Sequence, residues 1–142
     1  AGLRVTILEQ DASAEARARA NVAALFAEGA RRGKLSAEEA ARREAAFGFV
    51  HGDAPLPPAD LAVEAVFEDL GVKRALFARL GRELPEGAIL ATNTSYLDPD
   101  AIAEGLPAPG RFLGLHFFAP AHVMRLVEVI RAADTAQWVI DA

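Results

Sequence analysis

The chain has 142 residues, one domain's worth and enough for a sizeable core. With 52% hydrophobic and 25% charged residues and a net charge of −5, it reads as an ordinary globule for which neither nucleic acid nor an anionic membrane surface is the main partner. It has no cysteine, which excludes disulfides and thiolate chemistry, and no apolar run of membrane-spanning length or signal-peptide architecture, so a cytoplasmic setting is expected.

Val5, Ile7 and Leu8 predict a first strand ending at Glu9. Asp11 or Ser13 can cap a helix running to about Arg32, with Ala14, Ala18, Val22, Leu25 and Phe26 on one face and Gly33 as its stop. Ser36-Ala37-Glu38-Glu39 is a capping box for a second helix, to about Ala46. Phe47 to His51 reads as a short strand, and Gly52 to Pro58 as a loop whose prolines exclude regular structure. Leu61 to Val66 is nearly continuous in apolar residues, as expected of a strand buried on both faces.

A helix follows from about Asp69 to Arg82, and Pro85-Glu86-Gly87 turns the chain into a strand from Ala88 to Thr92. Asp98 caps a short helix that begins at Pro99 and ends at Gly105, with a turn from Pro107 to Gly110. Phe112 to Phe118 and Leu126 to Ile130 read as two buried strands joined through a turn at Pro120, and a short helix is expected after Thr135. No internal repeat or domain linker is visible. Strands alternating with helices indicate an α/β domain with a mainly parallel sheet. The last two strands, with no helix of ordinary length between them, are expected as an antiparallel pair at its edge.

Two polar residues interrupt those last apolar runs, His116 and Glu128. An imidazole and a carboxylate in apolar surroundings need partners, and each can serve the other. Such a pair is the core of a general-base site, the carboxylate fixing the tautomer and stabilising the imidazolium. The plainer alternative is a histidine tied to a backbone carbonyl and an acid facing water. Glu9, at the end of a strand and before a helix, stands where a dinucleotide fold puts the acid that accepts from an adenosine ribose. Gln10 and Asp11 offer no arginine for a 2′-phosphate, which favours NAD over NADP.

The G-x-G-x-x-G loop expected about twenty residues before that acid is absent, because too few residues precede Glu9. The chain therefore reads as a partial Rossmann-like domain lacking its first, central strand, with a gap in the sheet and unpaired backbone on both sides. Asp69 and Lys73 are either a surface pair one helical turn apart or groups lining the ligand crevice. Thr92-Asn93-Thr94-Ser95 supplies hydroxyl and amide groups at the same edge, or else forms an ordinary helix-entry turn. His51 and His122 have no acid set near them and read as surface or loop residues. No metal is expected.

Glu9, Val63-Glu64-Ala65-Val66-Phe67-Glu68, Leu70 with Lys73, Ala91-Thr92-Asn93-Thr94-Ser95 and Gly114-Leu115-His116-Phe117-Phe118 through Val123-Met124-Arg125-Leu126-Val127-Glu128-Val129 occur in this order. The combination closely resembles the NAD-binding domain of the 3-hydroxyacyl-CoA dehydrogenases of fatty-acid β-oxidation, in particular the bacterial enzymes and multifunctional fusions with enoyl-CoA hydratase. The likeness extends from about Leu3 to Arg131. It implies His116 as the general base for the 3-hydroxyl and Glu128 as its partner. It also implies Ser95 near the substrate's 3-oxygen, Asn93 beside the nicotinamide ribose, Glu68 and Lys73 as cofactor-contacting positions, and Glu9 as the ribose acid.

The resemblance further implies NAD as cofactor, an acyl-CoA substrate and a homo-oligomer. Two departures stand out: Ala119 occupies a position where the family commonly has asparagine, and the glycine loop and the C-terminal helical domain lie outside these residues. The residues 1–142 are accordingly expected to turn over little or nothing alone. The rival readings are a β-hydroxyacid dehydrogenase that relies on a catalytic lysine, and a non-catalytic remnant serving as an oligomerisation or scaffold module.

Overall fold

The computed structural model describes residues 2–121 and 123–142, so His122 lies outside the described residues. The chain divides into two compact units, Ala1–Pro57 and Pro58–Ala142, with the boundary inside the proline-rich loop.

The first unit is a parallel two-stranded sheet, β1 (Val5–Glu9) and β2 (Phe47–His51), joined by α1 (Ala12–Arg31) and α2 (Ala37–Glu44). Asp11 caps α1, its carboxylate accepting from the Ala14 N–H at 2.7 Å. The capping box of α2 is formed in full, with Ser36 Oγ accepting from Glu39 N–H at 3.1 Å and the Glu39 carboxylate from Ser36 N–H at 3.3 Å. Of the expected α1 face, Ala14 is buried and Ala18, Val22 and Phe26 are half-buried, Phe26 meeting Phe47 edge-on at 5.8 Å. Leu25, expected among them, is 54% exposed, since two strands make too small a floor to cover a helix of five turns.

The second unit is a four-stranded sheet in the order β3 (Leu61–Glu64), β4 (Ile89–Thr92), β5 (Phe112–Phe117), β6 (Val127–Arg131). β3, β4 and β5 run parallel, and β6 pairs antiparallel with β5 at the edge, as anticipated. The fold is thus α/β and Rossmann-like, with two strands in the first unit's sheet and four in the second's.

Helices cover both faces. On one, Phe77 of α3 (Leu70–Glu83) packs edge-on against Phe112 at 5.0 Å, above buried Leu80, Leu90 and Ile102, the last from α4 (Pro99–Ala103). On the other, Val139 of α5 (Gln137–Asp141) packs with Ala91 and Leu113. Paired residues Leu90 and Phe112 serve the first face, Ala91 and Leu113 the second, which is the alternation that a strand with two covered faces requires. Arg111, 4% exposed, ends α3 by donating to Gly81 and Pro85 carbonyls at 2.6 Å each, where its charge meets the negative end of the helix dipole.

Two strands differ from expectation. β3 is an edge strand within its unit: Leu61 and Val63 are 47% and 43% exposed, while the acid Glu64 is the residue buried, at 2%. β6 is likewise exposed at Val127, Glu128 and Val129 rather than buried. In both cases the apolar run records a surface that no other strand of the unit covers.

Candidate active site

Parallel strands end together, so the C-terminal ends of β3, β4 and β5 and the start of β6 form one rim of the second unit. His116 lies on that rim. Its partner in the β5–β6 register is Glu128, and directly opposed residues project from the same face with Cβ atoms roughly 5 Å apart. Gly114 makes this register available: a Cβ there would sit 3.0 Å from Ile130 Cβ, so a glycine lets β6 close onto β5 two residues before the histidine. The imidazole packs edge-on against Phe118, with ring centroids 4.9 Å apart.

The docking of imidazole on carboxylate is only half made. His116 Nδ1 is buried and has no hydrogen-bond partner among the described residues, and Glu128 stands exposed across the ladder. General-base contacts are commonly looser before substrate binds.

The Thr92–Ser95 segment divides its polar groups. Thr92 and Thr94 are buried and turn inward; Asn93 and Ser95 face the rim. Asn93 Oδ1 accepts from Phe117 N–H at 2.9 Å, tying the end of β4 to the residue after the histidine. Ser95 is exposed, its hydroxyl unpartnered among the described residues.

Glu68 holds this turn in place. Its Oε1 accepts from the Thr94 hydroxyl and from Ser95 and Tyr96 N–H groups at 3.1 and 3.2 Å, while Lys73 Nζ lies 3.2 Å from its Oε2. Partial burial pushes the Glu68 carboxyl up, but the Thr94, Lys73 and Tyr96 hydrogen bonds outweigh it and leave the group at about 2. A depressed pKa stabilises the fold fully above the usual carboxylate range and loses that contribution as pH falls from there toward about 2. Acid unfolding should therefore separate wild type from Glu68→Gln: their stability difference, measured by denaturant titration, shrinks as pH is lowered through this window. A difference independent of pH there would contradict the assignment.

Lys73 is no surface partner of Asp69. It is 1% exposed and bound to Glu64 at 2.7 Å as well as to Glu68. Asp69 instead caps α3, accepting from Val72 N–H at 2.9 Å. An acid in an otherwise apolar strand, followed by a lysine in the first turn of the next helix, was the signal for this buried pair.

In the first unit Glu9 ends β1, half-buried, its carboxylate unengaged among the described residues. Its register neighbour is His51, which does have an acid set near it: Nδ1 lies 2.6 Å from Glu15 Oε2. That hydrogen bond, with one from Arg19, holds the Glu15 carboxyl below its usual range. The acid comes from the first turn of α1, far away in sequence, and His51 remains a surface residue as expected.

The rim of the second unit, with an amide, a hydroxyl and a buried imidazole nitrogen that lacks a partner among the described residues, has polar groups of the kind that suit the head of a nicotinamide dinucleotide. The fold and rim thus define the dinucleotide-binding class of α/β domain. The whole chain, residues 1–142, matches the family described as 3-hydroxyacyl-CoA dehydrogenase, NAD binding domain, and it belongs to that family.

Among curated relatives it is 43% identical over 137 residues to the 3-hydroxyadipyl-CoA dehydrogenase of Escherichia coli, covering 95% of this chain and 29% of that protein. It is 52% identical over 75 residues to a peroxisomal bifunctional enzyme of Cavia porcellus, covering 53% of this chain and 10% of the relative. Among solved structures, the 3-hydroxybutyryl-CoA dehydrogenase of Escherichia coli superposes with a TM-score of 0.91 at 40% identity, over 97% of this chain and 29% of that one. FadB2 of M. tuberculosis also reaches 0.91, at 31% identity, over 99% and 50%. The chain therefore spans a third or less of most of these relatives, and half of the last.

Proposed function

We propose that this chain supplies the NAD-binding part and the general base of an enzyme that oxidises the 3-hydroxyl of an L-3-hydroxyacyl-CoA to the 3-ketone, a step of fatty-acid β-oxidation. The observation that carries the proposal is the β5–β6 register, which sets His116 against Glu128 on the rim where Asn93 and Ser95 also emerge. When bound, the nicotinamide supplies the hydride acceptor. His116 takes the hydroxyl proton as C3 becomes a carbonyl carbon, and in reverse returns it to the keto oxygen. Glu128 turns to the imidazolium and balances its charge. Ser95 offers its hydroxyl to the 3-oxygen, and Asn93 stands beside the nicotinamide ribose.

In this reading Glu68 and Lys73 shape the cofactor rim, and Glu9 in the first unit accepts from the adenosine ribose. The pairing of His116 with Glu128 in the β5–β6 register speaks against the lysine-dependent alternative. A second copy of the chain is the proposed partner and the cytoplasm the proposed compartment. Sizing of the full-length protein and cell fractionation test these, a peroxisomal location being the contrary outcome. Among the described residues no helix is long and apolar enough to cross a membrane.

Calorimetry with NADH on the full-length protein tests the cofactor site. Binding at roughly micromolar strength is expected; its absence would favour the scaffold reading.

A further inference from the structure

Beneath the rim lies a buried acid for which the proposed reaction has no use. Glu64 closes β3 at 2% exposure, with every contact of its carboxylate directed into the unit. Oε1 accepts from Lys73 Nζ at 2.7 Å and from Val66 N–H at 2.6 Å, and Oε2 accepts from the Thr92 hydroxyl at 2.7 Å. Two routes lead from these contacts to one turn. Through Thr92, the hydroxyl oxygen accepts the Thr94 N–H at 3.3 Å. Through Lys73, the ammonium holds Glu68, which in turn collects the Thr94 hydroxyl and the Ser95 and Tyr96 amides. The backbone adds a third link, since Asn93 N–H donates to the Glu64 carbonyl at 2.9 Å.

We propose that Glu64 is a positioning residue: its carboxylate fixes Thr92 and Lys73 and, through them, sets the Asn93–Tyr96 turn from below. The inference rests on the dehydrogenase reading of that turn, in which Ser95 meets the substrate oxygen. The chemistry favours a charged group for the task. One carboxylate can accept three donors at once from a strand, a helix and a loop, and in a dry setting each bond restrains its donor more tightly than it would in water. A neutral amide of the same shape has one acceptor oxygen and no charge, so its bond to the Lys73 ammonium is weaker and Thr92 must turn from donor to acceptor to stay bound.

The test compares wild type, Glu64→Gln and Thr92→Val in the full-length protein by hydrogen–deuterium exchange and steady-state kinetics. With Glu64→Gln, exchange at the Thr94, Ser95 and Tyr96 amides should rise by about tenfold or more while the amides of β4 and β5 keep their protection, and kcat should fall on the order of tenfold to a hundredfold. Thr92→Val cuts one arm only and should loosen the same amides to a smaller extent.

A Glu64→Gln protein with wild-type protection at Ser95 and Tyr96 would overturn the proposal. So would exchange that rises equally throughout the sheet, because that pattern marks a loss of global stability and not of local placement. Should Glu64→Gln fail to fold, Thr92→Val decides: unchanged protection of the turn counts against the relay. Should the wild type lack dehydrogenase turnover, the kinetic comparison fails with the functional reading, and the exchange data still judge the role of Glu64.

Discussion

His116→Gln in the full-length protein should lower kcat for 3-hydroxyacyl-CoA oxidation by about 10²–10⁴-fold, the usual contribution of a positioned general base. Glutamine preserves much of the size of the imidazole and its packing against Phe118, but its amide cannot take the proton. NADH binding measured by calorimetry should stay near the wild-type value, since the rim groups assigned to the cofactor, Asn93 and Glu68, are anchored by Phe117 N–H and by the Thr94 turn. Glu128→Gln should cost less, because the base remains and only its charge balance is lost. Absorbance of NADH under steady state checks both. A loss below tenfold for His116→Gln, with substrate and cofactor saturating, would remove the base from the mechanism and favour the lysine-dependent class, whose chemistry would survive the substitution.

The parts of this domain that were legible in the sequence are those written in short-range pattern. Asp11, Ser36 with Glu39 and Asp98 all cap the helices they precede, because a cap is settled within three or four residues of chain. The antiparallel β5–β6 pair followed from the lack of a crossover helix, and the opposition of His116 and Glu128 came with it. What stayed hidden was set by distant partners. Glu64 and Thr92 stand on different strands, and Glu15 reaches His51 across the whole of α1 and α2. Apolar content misled at β3 and β6, since a run such as Leu61–Val66 reports what a strand is able to bury and says nothing of whether a neighbour covers it. Thr92 and Thr94 looked like rim groups, yet serve the interior, because only the pleat decides which of four successive polar residues turns outward.

Lys73→Met should be the most damaging single substitution for stability, by about 3–5 kcal/mol. The side chain is almost wholly enclosed, and its ammonium is bound by both Glu64 and Glu68. Methionine keeps the volume and removes the charge, so the Glu64 carboxyl is left in a dry interior without its cation, with Thr92 and Val66 N–H as its remaining donors. Denaturant unfolding should show the loss as a lower midpoint at unchanged slope. The cost belongs to the stranded carboxylate and not to a weaker core, so neutralising that carboxylate in the same chain should restore most of the stability. Lys73→Met with Glu64→Gln should unfold near the wild-type midpoint, since a buried ion pair contributes little net stability over a neutral replacement of similar shape. A double variant no more stable than Lys73→Met alone would show that the lysine stem, through its packing beneath the turn, matters more than its charge. A single variant within about 1 kcal/mol of wild type would mean that water reaches Glu64 and that the pair is not buried in solution.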